Sequence, residues 1–257
     1  MYDWPEVQDR TDAFWSAVRL ALPADLNAPD KLSRPEDLSA PWRSTDLLLG
    51  QTCGLPYVSG SCGDAVVVGR PVYRVSGAGD GRYSSALIAR VGEGATLADF
   101  RSARAAVNEP GSQSGHNALL DATLEHADGD FFGEVVWSGA HRRSACMVSD
   151  GVADVAAIDA VAWALFAEVD PDRHAKLQIL GWTRPMPALP FITALANAAR
   201  IPDLRAALQA AAAAARGTNI PDDVLPATDA DYDPVREMAR RIAGYRLAPT
   251  SPAAPAL

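Results

Sequence analysis

The chain has 257 residues, 48% of them hydrophobic and 21% charged, with a formal net charge of −9. That length fits two lobes of ordinary size, and the acidic balance excludes a nucleic-acid surface, which needs a basic stripe. No stretch approaches 18 apolar residues, so no membrane span is expected. An amphipathic helix is expected over residues 11–22, with Phe14, Trp15, Val18 and Leu22 on one stripe. After a Pro/Asp/Ser-rich connection, the apolar run Asp46–Gly50 reads as a buried strand that leads into a polar turn, Gln51–Tyr57. Strands follow at 64–69, extending towards Tyr73, and at 83–91, separated by the glycine-rich loop 76–81.

The next unit is a strand at 104–108, a small polar turn over Gly111–Gly115, and a helix to about His126 with Leu119, Leu120 and Leu124 in line. Strand 133–137 ends in Ser138-Gly-Ala-His141, where a helix to about Ser149 begins. Strand 152–158 ends at Asp159, and a helix over 160–169 stops at Asp170-Pro171. The last expected strand is 177–182, followed by a proline-punctuated crossing at 185–190. From there the chain reads as helical, over 191–200, 202–216 and 234–243, with a proline-rich tail, 247–257, expected to be disordered.

Strands alternating with helices predict an α/β protein with mainly parallel sheets, in which ligands bind beyond the carboxyl ends of strands. Four polar clusters stand at such ends: Gln51–Thr52–Cys53, Asn108–Ser114, Ser138–His141 and Asp159. Their inventory is rich in neutral donors, among them Gln51, Thr52, Tyr57, Tyr83, Ser112, Gln113, Ser114 and His141, and two of the loops feed helix N-termini. That chemistry suits a small oxyanion held by dipoles and hydrogen bonds. Asp159 fits a ligand that carries a donor, such as a P–OH or an amine; taken alone it reads as a helix N-cap. The four histidines are scattered without ligand spacing, so no metal site is expected, and nothing in the sequence calls for a cofactor. Cys53, Cys62 and Cys146 show no C-x-x-C spacing; pairing of Cys53 with Cys62 stays open.

The segments Leu47–Tyr57 (LLLGQTCGLPY), Asn108–Gly115 (NEPGSQSG), Ser138–His141 (SGAH) and Ala153–Asp159 (ADVAAID) occur in an order and spacing that resemble one family. It is that of the phosphate/phosphite/phosphonate substrate-binding proteins of ABC transporters, and the resemblance spans roughly residues 3 to 195. The resemblance implies a two-lobe type II periplasmic-binding-protein-like fold, each lobe a mainly parallel sheet flanked by helices, and no enzymatic activity. Lobe one is expected over 1–80 and 184–257, because the strandless C-terminal helices must pack on an earlier sheet. Lobe two is expected over 81–183. By the same resemblance Ser112, Gln113, Ser114, His141 and Asp159 hold the oxyanion from lobe two. Gln51 and Thr52 contribute from lobe one, and Tyr83 lies near the first crossing. A monomer that delivers its ligand to a transporter permease is implied, and a periplasmic location with it. No signal peptide is expected in the chain as given, since Met1-Tyr-Asp-Trp-Pro5 has neither a basic nor an apolar region.

This chain departs from the family pattern at Gln113, where relatives often carry threonine, and in lacking an aromatic residue near Gln51–Thr52. Two other readings compete. A cytoplasmic ligand sensor could use the same fold. A serine hydrolase could use Ser114, His141 and Asp159 as a triad, but Gln113 stands where a G-x-S-x-G elbow needs its nucleophile.

Overall fold

The stripe of Phe14, Trp15 and Val18 folds into the helix Gln8–Ala21 in the computed structural model, which describes residues 2–37, 39–126 and 129–248. The chain divides into two units, Met1–Arg82 with Pro187–Val235 and Tyr83–Met186 with Arg236–Leu257. In the first unit the helix Gln8–Ala21 packs on Ile201–Ala214, a helix with proline in its first turn. Their apolar faces meet Val68, Phe191 and Val224 of a four-stranded sheet. That sheet runs in the order Gly50–Gln51, Phe191–Thr193, Val66–Val72, Asp223–Leu225. Gly69 allows its edge strand to come close, since a Cβ there would lie 2.7 Å from a Val224 methyl and 2.9 Å from the Leu225 carbonyl.

Three expectations change here. The ladders of this sheet are all antiparallel, not mainly parallel. Phe191–Thr193, expected to begin a helix, is a strand, because Phe191 and Ile192 are paired on both sides by Gly50–Gln51 and Val67–Gly69. The apolar run at 46–50 contributes only Gly50–Gln51 to the sheet, and Asp223–Leu225 is a strand that its short, charged sequence did not signal.

The second unit holds a five-stranded sheet in the order Glu134–Trp137, Arg104–Val107, Val155–Asp159, Ser85–Arg90, Leu177–Trp182. Arg104–Val107 runs parallel to both its neighbours, whereas Ser85–Arg90 runs antiparallel to both of its own. Only the trio Glu134–Trp137, Arg104–Val107 and Val155–Asp159 meets the parallel expectation. Its carboxyl ends, at Val107, Trp137 and Asp159, therefore share one sheet edge. Ser85, paired with Asp159, and Trp182, paired with Ala86, lie at that same edge. At the opposite edge Asp154 accepts from the Arg104 N–H (2.9 Å) and guanidinium (2.7 Å) and pairs with Arg90 (3.0 Å). Those arginines hold its carboxyl well below the usual range, so the charge that ties neighbouring strands together stays ionised.

The C-terminal part also differs from expectation. Residues 236–248 belong to the second unit rather than the first. Ile242, Leu247 and Ala248 are buried in its core with Phe131, Phe132 and Val135, and the Phe132 N–H donates to the Leu247 carbonyl at 2.8 Å. Of the tail expected to be disordered, Leu247 and Ala248 are thus core residues, and 249–257 lie outside the described residues. Leu247 is 2% exposed. Leu247→Ala is accordingly expected to cost about 2–5 kcal/mol of stability in urea unfolding, as for a fully buried leucine; a loss under about 0.5 kcal/mol would return the segment to the surface.

Candidate functional site

Leaving Val107, the chain makes a polar turn and enters a π-helical turn, Gln113–Asn117, before the six-residue helix Ala118–Thr123. The long helix expected to His126 is thus interrupted at its start. The Ser112 hydroxyl accepts the Gly115 N–H (3.0 Å) and the Ser112 carbonyl accepts the Asn117 N–H (3.1 Å), which winds the turn one residue wider than an α-helix. The result points the Ser112 and Ser114 hydroxyls towards each other, 3.5 Å apart.

The neighbouring loop is zipped to this one. Gly139, at φ +81°, donates its N–H to the Asn108 carbonyl (2.8 Å), and the Ser138 N–H donates to Val107 (2.8 Å). The Ser138 hydroxyl reaches the Ser144 hydroxyl at 2.6 Å, inside the helix His141–Ser149. His141, the first residue of that helix, is so placed that Nε2 lies 2.7 Å from the Ser114 Oγ. A Cβ on Gly115 would fall 1.9 Å from Asn108 Oδ1 and 3.2 Å from His141 Cε1. Only glycine lets the turn, the asparagine and the imidazole share this space.

Burial lowers the His141 pKa to about 4, with the Ala157 carbonyl as a smaller opposing influence. At neutral pH the ring is an uncharged dipole, and its Nδ1 makes no well-formed hydrogen bond, only the weak contact with the Ala157 carbonyl. Asp159, 1% exposed, caps the helix Ala160–Val169, its Oδ1 accepting the Val161 (2.8 Å) and Ala162 (3.1 Å) N–H groups. That oxygen is thereby committed to the helix start, and among the described residues the His141 Nδ1 has no well-formed hydrogen bond of the kind that orients a Ser–His–Asp relay.

The remaining expected residues are placed as follows. Gln113 is fully buried; its Nε2 lies 2.8 Å from Met238 Sδ and its Oε1 has no partner. Tyr83 is buried and lines a closed crevice beside Ser114 and Gln113. In the first unit Gln51 donates to the Leu189 carbonyl at 3.3 Å. Thr52 is fully buried; its hydroxyl lies 3.4 Å from the Cys53 carbonyl and 3.6 Å from Cys62 Sγ. All three cysteines are free thiols, and burial raises that of Cys62. Among the described residues no cluster of three metal-binding side chains occurs, and no helix is long and apolar enough to cross a membrane.

Sequence reasoning missed Ser85, Thr183 and Arg184. Ser85 donates its hydroxyl to the Ser114 carbonyl (3.0 Å) and its N–H to the Thr183 hydroxyl (2.8 Å), tying the polar turn to the end of the strand Leu177–Trp182. The signal was present, since Thr183 and Arg184 directly follow a strand end, but the prolines at 185, 187 and 190 marked that stretch as a connection.

Two outcomes are expected. The His141 pKa lies below its unfolded value of about 6.5, so between pH 6.5 and 4 the unfolded chain binds a proton that the folded one refuses. Stability should fall as pH drops through that window, by up to roughly 3 kcal/mol. Urea unfolding at pH 7 and pH 4.5 should show a smaller loss for His141→Gln than for the unsubstituted protein. In Gly115→Ala the new methyl must displace Asn108 or His141. The His141 pKa, followed by NMR titration, should rise towards 6.5 as the packed ring is loosened.

Comparison with known proteins agrees with this architecture. The profile described as "ABC transporter, phosphonate, periplasmic substrate-binding protein" matches residues 45–233. Among curated protein sequences none is significantly similar. Of solved structures, PhnD1 from Prochlorococcus marinus in complex with methylphosphonate superposes with a TM-score of 0.73 at 13% identity, covering 92% of this chain and 93% of its own. A binding protein component of an ABC phosphonate transporter from Pseudomonas aeruginosa gives a TM-score of 0.70 at 15% identity, over 88% and 80% of the two chains. The periplasmic aliphatic sulphonate binding protein SsuA from Escherichia coli gives 0.60 at 15% identity, over 93% and 86%. These likenesses establish the type II periplasmic-binding-protein fold, and with nearly three-quarters of its length matched by the profile, the chain belongs to the periplasmic substrate-binding proteins of phosphonate ABC transporters.

Proposed function

We propose that the protein captures a small phosphorus oxyanion, phosphate, phosphite or phosphonate, for ABC-type uptake, and releases it chemically unchanged. The observation that carries this reading is the convergence of the Ser112 and Ser114 hydroxyls with His141 Nε2 at one sheet edge. The two hydroxyls and the uncharged imidazole, on short, interlocked loops, suit an anion that they hold by hydrogen bonds rather than by net charge. Tyr83, Gln113 and Asp159 belong to the surroundings of this cluster in the proposal; Gln113 and Asp159 shape it, through Met238 and the helix Ala160–Val169 respectively. Gln51 and Thr52 are assigned to the same ligand on the family resemblance alone. A periplasmic location, a monomeric state and a permease partner are proposed on the same ground, and export of the native product separates this reading from a cytoplasmic sensor.

Turnover is disfavoured by the dyad's own electrostatics. A base with a pKa near 4 takes up a serine proton poorly at neutral pH, and no carboxylate steadies the imidazolium that would result. Thermal shift with phosphate, phosphite, methylphosphonate, 2-aminoethylphosphonate and sulfate tests the proposal. At a hundredfold excess over Kd a true ligand should stabilise by about 2.7 kcal/mol, and phosphorus NMR should recover it intact. Ser114→Ala should weaken that ligand by roughly tenfold, the worth of one lost hydrogen bond. A flat response to all five, together with Ser114-dependent hydrolysis of a phosphate ester, would favour the enzyme instead.

A further inference from the structure

A closed crevice beside Ser114, without room for a water molecule in this structure, is lined by Tyr83, Ser84, Gln113, Thr183 and Arg184 among others, and Arg184 is the one lining residue that carries a formal charge. Its backbone position is set by the sheet, because Thr183 N–H donates to the Ser85 carbonyl at 3.0 Å while the Thr183 hydroxyl accepts the Ser85 N–H at 2.8 Å. Its side chain is held less firmly. The guanidinium Nε stands 3.5 Å from Asp121 Oδ2, beyond a good hydrogen bond, and half of the side chain is exposed. Asp121 has a second and nearer cation, Arg241, whose Nε lies 3.2 Å from Oδ1. The carboxylate is only 7% exposed, so a lone Asp121 would be costly to bury; Arg241 faces its Oδ1 as an ion pair, without an aligned hydrogen bond, and is the charge that offsets it when Arg184 turns away.

We infer that Arg184 is a further binding residue for an oxyanion, a mobile cation that leaves Asp121 to contact an anionic oxygen held by the Ser112–Ser114–His141 cluster. The inference rests on the oxyanion-binding reading above. It supplies what that cluster lacks, since hydroxyls and an uncharged imidazole bring no net charge to a ligand that has one, in a chain of net charge −9. A guanidinium matches the oxygens of such a ligand two at a time, which lysine cannot do. Asp121 then acts as a competitor that sets how readily Arg184 is available.

The test is titration calorimetry with methylphosphonate and with inorganic phosphate at 20 and 300 mM salt, on the unsubstituted protein and on R184Q, R184K and D121N. R184Q should bind the better anion roughly ten- to hundredfold more weakly, the usual worth of a hydrogen bond to a charged group. Its Kd should also lose most of its dependence on salt, because the screened charge has gone. R184K, which keeps the charge but not the fork, should fall between, and it serves should R184Q fail to fold. D121N should bind more tightly than the unsubstituted protein, since the competing carboxylate is neutralised. If Arg184 only neutralises Asp121, R184Q lowers the unfolding temperature but leaves Kd and its salt dependence unchanged, which overturns the inference. Weaker or unchanged binding by a folded D121N overturns it as well. An unsubstituted protein that binds neither anion overturns the oxyanion reading itself, and this inference with it; failure of R184Q alone to differ leaves that reading standing.

Discussion

The close approach of Asn108 to Gly115 is the constraint on which the polar edge of the second unit depends. The amide oxygen of Asn108 sits where any other residue at 115 would carry its Cβ, while the Asn108 carbonyl takes the N–H of Gly139. One asparagine thus joins two loops, and each loop brings one half of the Ser114–His141 pair. The buried Asn108 Oδ1 has no ordinary hydrogen-bond partner, and its position against the Gly115 α-carbon fits a weak Cα–H···O contact. Such a contact is modest in energy. Its weight here is geometric, because it excludes a side chain and so fixes the distance between turn and imidazole.

The sheet decides which loops can meet at all. Arg104–Val107 is parallel to both neighbours, so three carboxyl ends share an edge, and the antiparallel Ser85–Arg90 adds its own first residue there. Small side chains make this possible. Ala86, Ala89, Ala105, Ala106, Ala156 and Ala157 are essentially buried, and they let the central strands be covered on both faces. The Arg90–Asp154–Arg104 group at the far edge holds neighbouring strands in step. A slip of one residue would turn each strand over and move Val107 and Asp159 off the positions from which the loops depart.

Much of this was legible in the sequence, and the failures have physical causes. The strands of the second unit read clearly because they are apolar runs closed by polar turns, and Ser112, Ser114 and His141 stood out as hydroxyl and imidazole donors at two of those closures. Strand direction was not legible. An apolar run looks the same whichever way it lies, so the antiparallel ladders of the first unit escaped, as did Phe191–Thr193, whose partners come from two distant segments. Leu247 and Ala248 were read as tail because three prolines follow, and a two-residue anchor against Phe131 and Phe132 leaves no periodic trace. Arg184 was hidden for a similar reason: the prolines around it spoke louder than the strand end before it.

Asp159 shows how a residue's local duty bears on the chemistry around it. As a helix cap its Oδ1 takes two backbone N–H groups, which ties that oxygen to the start of the helix Ala160–Val169. His141, desolvated by burial, stays neutral. An uncharged imidazole and two hydroxyls can each turn a donor or an acceptor towards a neighbouring group. A site of that kind does not demand a fully deprotonated anion. Under the oxyanion proposal such a cluster would suit the partly protonated forms that phosphorus oxyanions adopt near neutral pH, with the Arg184 guanidinium and the buried Gln113 carbonyl as nearby groups of fixed polarity.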